Sequence, residues 1–141
     1  MDQTLTIIFF FSAILIAGGL LFVIISLAKN GPRRLDQTKY RSRWMDIETR
    51  LRRDDPNTYT VCIFDADKLL DQALRESGIS GKTMGERMKQ CQGKWTNGNG
   101  IWAAHKVRNR LAHETDATVD YNRTKQALVA YKQALKDIGA I

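Results

Sequence analysis

The sequence predicts an all-α protein: a single N-terminal transmembrane helix followed by a small soluble helical bundle. Three observations carry this expectation. Residues 3–28 contain no charged side chain, and residues 5–27 are almost entirely apolar. Beyond them, apolar residues recur at three- and four-residue steps, the period of a helix with one buried face. No stretch shows the alternation of a half-buried strand. With 141 residues, the chain has room for one domain and an appendage. The organisation reads as an anchor over 1–28, a basic juxtamembrane helix and linker over 29–54, and a helical bundle over 55–141.

At 1.5 Å per residue, roughly 20 apolar residues cross a bilayer core, so the first segment is long enough. A cleaved signal peptide is the competing reading, because Ser26-Leu27-Ala28 supplies small residues of the kind a cleavage site needs. The segment begins with Asp2 and no Lys or Arg, and its apolar run exceeds a signal-peptide core, which favours an uncleaved anchor. Asn30-Gly31-Pro32 is expected to end the helix, Gly as a left-handed cap and Pro by lacking an N–H.

The net charge is +7. Nine basic residues fall between Lys29 and Arg53 against Asp36, Asp46 and Glu48, an excess of six. Residues 54–141 carry 13 basic and 11 acidic side chains, an excess of only two. The basicity therefore points first to a membrane surface, with Arg33, Arg34, Lys39, Arg41 and Arg43 facing anionic headgroups, and only weakly to nucleic acid. By the positive-inside rule the N-terminus lies outside and the C-terminal domain is cytoplasmic. Cys62 and Cys91 fit a reducing compartment and small-residue packing, and neither has a His at ligand spacing, so no metal site and no cofactor are expected.

The first soluble helix is expected over about 35–53, with Leu35, Tyr40, Trp44, Ile47 and Leu51 in one stripe. Asp55 and Pro56 suit the N-cap and first position of a second helix reaching about residue 77. Its apolar face comprises Tyr59, Cys62, Ile63, Ala66, Leu69, Leu70, Ala73 and Leu74, and Gly78 ends it. Thr83 and Glu86 form a capping box for a short helix to about Cys91. Residues 92–100 read as a polar loop, in which Lys94 and Trp95 could touch a phosphate and stack a base, or Trp95 could cover the end of the bundle. A helix then runs from Ile101 to about Thr115, with Ile101, Ala104, Val107 and Leu111 as its buried stripe. A last helix over about 121–138 follows a turn in which Thr118 or Asp120 is the N-cap.

Two glycine motifs fail on context. Gly81-Lys82-Thr83 lacks the earlier glycine of a phosphate-binding loop, Glu76 standing there, and follows a helix instead of a strand. Gly98-x-Gly100-x-x-Ala103 has no βαβ unit around it.

The constellation that survives is Arg108-Asn109-Arg110-Leu111-Ala112-His113. Asn109 and His113 are four apart and share a face, with Arg108 at its edge. An always-charged guanidinium beside an imidazole that titrates near neutrality suits phosphate binding with proton transfer. His105, four before Asn109, shares that face as a second functional group or as a polar interface residue.

This Arg-polar-x-x-x-His pattern, late in a helical domain, resembles the HEPN superfamily, whose catalytic members carry an Arg, four to six residues and a His, with Asn, Asp or His after the Arg. The resemblance covers roughly 56–141, and Arg108, Asn109 and His113 carry it. It implies a metal-independent ribonuclease, usually a dimer whose motif helices face each other. His113 would be the acid/base, Arg108 the phosphate clamp and Asn109 a positioning hydrogen-bonder, with Arg110 and Lys106 adding positive field for RNA. The family also includes members that bind without cleaving. The alternative is therefore a non-catalytic interaction module at the membrane, or a subunit of a membrane complex. In that case Arg108 and Arg110 pair with Asp65, Asp67, Asp71 or Glu114, and His113 only complements the helix dipole.

Overall fold

The computed structural model describes residues 2–29 and 33–141, and among them every regular element is helical. Asn30, Gly31 and Pro32, the expected stop of the first helix, lie outside the described residues. The chain divides into two units, up to Pro32 and from Arg33 onward.

The first unit is helix α1, Gln3–Lys29, apolar over Gln3–Ala28 with mean hydropathy 2.8. Its 27 residues span about 40 Å, enough to cross a membrane. Phe9, Phe10 and Leu15 are exposed on three different sides, so the apolar surface is continuous around it.

The second unit holds α2 (Gln37–Arg50), α3 (Asn57–Glu76), α4 (Met84–Gln90), a 3₁₀ turn (Gln92–Lys94), α5 (Gly98–His113) and α6 (Tyr121–Asp137). Helix α3 is the centre, packing against α2, α4, α5 and α6, while α5 and α6 also pack on each other. The apolar face expected for α3 is the buried one, with Cys62, Ile63, Ala66, Leu70, Ala73 and Leu74 fully enclosed. Burying one such leucine typically contributes about 1.5–3 kcal/mol. Burial also pushes the thiols of Cys62 and Cys91 up, which keeps both as small apolar fillers.

Local chemistry sets the boundaries. The Asp36 carboxylate accepts from Lys39 N, so α2 starts after it, two residues later than the apolar stripe suggests. Asp55 accepts from Asn57 N and Pro56 already has helical angles, but α3 itself begins at Asn57, one residue later than expected, with Pro56 in the cap position. Thr83 accepts from Glu86 N, but the Glu86 carboxylate reaches Lys82 N, one residue short of a closed capping box. At Gly78 (φ 87°) the Ile79 and Gly78 amides bond to Leu74 and Arg75 carbonyls, a Schellman ending. Gly139 ends α6 in the same way.

One expected boundary moves. The basic helix is not a linker outside the bundle, because the compact unit begins at Arg33 and includes it. Tyr40, Trp44 and Ile47, the stripe read from sequence, are buried against the core. Three of its cations are also committed to α3: Lys39 Nζ lies 2.9 Å from Glu76, Arg43 donates to Gln72, and Arg50 pairs with Asp65. Tyr40 OH donates to the same Glu76 carboxylate at 2.8 Å.

The bonds from Lys39, Tyr40 and Gln72 hold the Glu76 carboxyl at about 2, below its ordinary 4.5. A carboxyl depressed by folding stabilises the native state above its unfolded value, and that contribution is lost as the pH falls toward the folded one. Thermal unfolding of the 33–141 unit is expected to show a melting temperature that falls between about pH 4.5 and 2, with the fall reduced in Glu76→Gln.

Candidate functional site

Helix α5 begins at Gly98, three residues before its apolar stripe, because Asn97 caps it by accepting from Gly100 N at 2.9 Å. A Cβ on residue 100 would lie 2.2 Å from the Asn97 amide, so glycine is what lets this cap close. The stripe of Ile101 and Ala104 is buried, and this fixes which sides of α5 face solvent.

On one side α5 forms, with α3 and α4, a groove of about 850 Å³ whose lining includes Trp102, His105, Arg108, Asn109 and His113. The three motif residues are therefore brought together. His113 is exposed at the helix end, where an imidazolium would complement the helix dipole. Lys68 and Lys82 line the same groove, without a carboxylate partner among the described residues.

The group that organises the groove floor is Asp67 of α3, one of few buried charged residues in the bundle. Its Oδ1 accepts from Tyr131 OH of α6 at 2.8 Å and lies 2.8 Å from His105 Nδ1 of α5. Its Oδ2 lies 3.2 Å from Arg108 Nε. That last contact is Coulombic, because the buried Nε has no aligned acceptor. Arg108 Nη1 donates to Asn109 Oδ1 at 3.1 Å, and Asn109 Nδ2 stands 3.2 Å from His105 Nε2. Side-chain exposure falls from 32% at Arg108 to 13% at His105 and 7% at Asp67, so Arg108 is the most exposed of these three. The ring of Phe64 lies 5.3 Å from Arg108 Cζ and backs it. Burial, and then the Asp67 charge and hydrogen bond, push the Tyr131 hydroxyl far up, so it remains a donor.

Arg108 thus pairs with a carboxylate on another helix, as the structural alternative expects, yet a third of it still opens to the groove. A second carboxylate of the groove is also neutralised: Asp71 holds Arg87, itself buried, and Arg75.

The other expected RNA contacts lie elsewhere. Lys106 and Arg110 line a second groove, about 920 Å³, between α5 and α6, along with Arg123 and Lys125. Trp95 packs partly buried against the core and donates its indole N–H to the Met88 carbonyl at 3.0 Å, so it covers the end of the bundle. Lys94 ends the 3₁₀ turn beside it and lines neither groove.

Sequence reasoning did not single out Asp67. A signal was present: Asp67 is four after Ile63 and three before Leu70, inside the apolar stripe of α3. A carboxylate in that register must find partners, because unpaired burial costs several kcal/mol.

Compared with protein-family models, with curated proteins and with solved structures, the chain shows no match. The functional reading therefore rests on the motif residues and on this geometry.

Removing one partner of a buried ionic cluster leaves the others uncompensated. Asp67→Ala is expected to destabilise the 33–141 unit by about 3–5 kcal/mol in urea unfolding. Tyr131→Phe, which deletes one of the two hydrogen bonds to that carboxylate and leaves the Arg108 ion pair, is expected to cost only about 1 kcal/mol.

Proposed function

We propose that the chain is a membrane-anchored, HEPN-like helical protein whose groove between α3, α4 and α5 acts on RNA. The observation that carries this reading is that Arg108, Asn109 and His113 line one solvent-open groove, which thus holds both an exposed imidazole and a held guanidinium. The chemistry suits cleavage through the RNA 2′-hydroxyl. His113 takes the hydroxyl proton and returns one to the leaving 5′-oxygen, while Arg108 stabilises charge on the phosphate. Asn109 orients Arg108 through its side-chain carbonyl. As in the family it resembles, this chemistry calls for no metal, and the partner that completes the site is a second copy meeting it through α5.

Helix α1 anchors the protein in one pass, with the N-terminus outside and the bundle in the cytoplasm, where the basic excess after the span favours it. Arg33, Arg34 and Arg41, exposed and without carboxylate partners among the described residues, are the headgroup contacts; Lys39 and Arg43 are already engaged with α3.

A second reading, a non-catalytic interaction module, is favoured by one observation: the ion pair of Arg108 with Asp67 closes its charge inside the fold. Cleavage separates the two. The 33–141 unit encloses its own core, so it is the fragment to test. It is expected to cut single-stranded RNA, leaving 2′,3′-cyclic phosphate ends, and His113→Ala is expected to slow this by about 10²–10⁴-fold without unfolding the bundle. Absence of cleavage by the folded wild-type dimer supports the module instead. In intact cells the bundle is expected to resist external protease, and its digestion from outside would reverse the orientation.

A further inference from the structure

We propose that Asp67 and His105 are positioning residues for Arg108, and that the proton count on His105 decides whether Asn109 holds the guanidinium. The hydrogen-bond arrangement stands on its own; its consequence for RNA rests on the reading of the groove given above.

The direction of every bond in the cluster is forced from both ends. A guanidinium only donates, so the Asn109 atom facing Arg108 Nη1 is the carbonyl Oδ1, at 3.1 Å. The amide nitrogen Nδ2 therefore faces His105 Nε2, at 3.2 Å, and donates to it. Nε2 must then carry a lone pair. On the far side of the ring the Asp67 carboxylate only accepts, so Nδ1, at 2.8 Å, carries the proton. Tyr131 donates to the same Asp67 oxygen, and Arg108 Nε closes the loop 3.2 Å from the other. The hydrogen bonds running from Tyr131 and His105 on Asp67 through Asn109 to Arg108 Nη1 each have one donor and one acceptor with a neutral His105 protonated on Nδ1, and Arg108 Nε adds only a Coulombic contact.

A second proton, taken from solvent, can only go on Nε2, where it meets the Asn109 amide hydrogens. Turning the amide over gives Nε2–H an acceptor, but it turns Nδ2 toward Arg108 Nη1 and sets two donors against each other. Imidazolium His105 and the Asn109–Arg108 hydrogen bond therefore exclude each other. The charge changes in the same sense, since Asp67 then faces two cations instead of one. The other titratable and charged groups of this groove and cluster are Asp65, Lys68 and Asp71 of α3, Lys82 just before α4, Arg87 of α4, Tyr131 of α6 and His113 of α5, with Asp65 paired to Arg50. Asp71 is already paired with Arg87 and Arg75, so the new charge falls mainly on Asp67. Protonating His105 thus frees Arg108, which lines the groove and is more exposed than either His105 or Asp67.

Two arms test this on the 33–141 unit. In ¹⁵N spectra, His105 is expected as the Nδ1–H tautomer at pH 8. On acidification its second N–H should appear with the same midpoint at which the Arg108 Nε–H resonance changes. Asn109→Asp supplies an acceptor on both sides, so Arg108 should no longer respond as His105 gains its second proton. An Nε2–H tautomer at pH 8, or an Arg108 resonance that moves independently of His105, overturns the proposal. Should Asn109→Asp not fold, the wild-type midpoints alone decide. In the second arm, the acid limb of RNA cleavage should follow the His105 midpoint and shift in Asn109→Asp; a limb that ignores both overturns the functional half. Coincident midpoints with no cleavage at all overturn the nuclease reading and leave the positioning relay standing.

Discussion

A carboxylate inside a helical bundle is the constraint on which the rest of this structure depends. Desolvating Asp67 without partners would cost several kcal/mol, so the helices around it are obliged to bring donors. Helix α6 brings Tyr131, and α5 brings His105 and Arg108. These contacts, together with the buried Ile101 and Ala104, set the rotation of α5 about its axis. That rotation puts Arg108, Asn109 and His113 toward α3 and α4, and leaves Lys106 and Arg110 toward α6. The same residue that joins three helices therefore selects which polar groups share a groove.

The electrostatics follow from this arrangement. The bundle is nearly charge-balanced beyond its basic first helix, and the groove reflects that balance. Asp67 offsets Arg108, and Asp71 offsets Arg87 and Arg75. What remains to attract a polyanion is Lys68, Lys82 and a protonated His113, a modest local field. Such a site depends on geometry more than on bulk attraction. A guanidinium held at a set angle gives directional phosphate contact that a mobile lysine does not.

Much of the fold was legible in the residues. The helical period of α3, its Asp55-Pro56 start and its Gly78 end each have a local cause, and the structure carries all three, with the start one residue later. The stripe of Tyr40, Trp44 and Ile47 was also readable. Its membership in the bundle was not, because a stripe does not name the surface that covers it. The same limit hid the cluster: Asp67 and His105 are 38 residues apart, and only packing pairs them. The separation of Arg110 from Arg108 was readable in principle. Two residues turn a helix by about 200°, so both cannot face one groove. Trp95 had two readings in sequence, and its indole bond to Met88 selects the covering role.

If the protein acts on RNA as proposed, the strand enters the groove containing Arg108 and His113 and not the more basic groove between α5 and α6. The most direct measurement is a titration of the ¹⁵N-labelled 33–141 unit with a short single-stranded RNA made uncleavable by 2′-O-methylation. The largest shift changes are expected at Arg108 Nε, the His113 ring and the Trp102 indole, with the Lys106, Arg110 and Arg123 region little affected. Changes concentrated on that second group, with Arg108 and His113 unmoved at saturation, would contradict it.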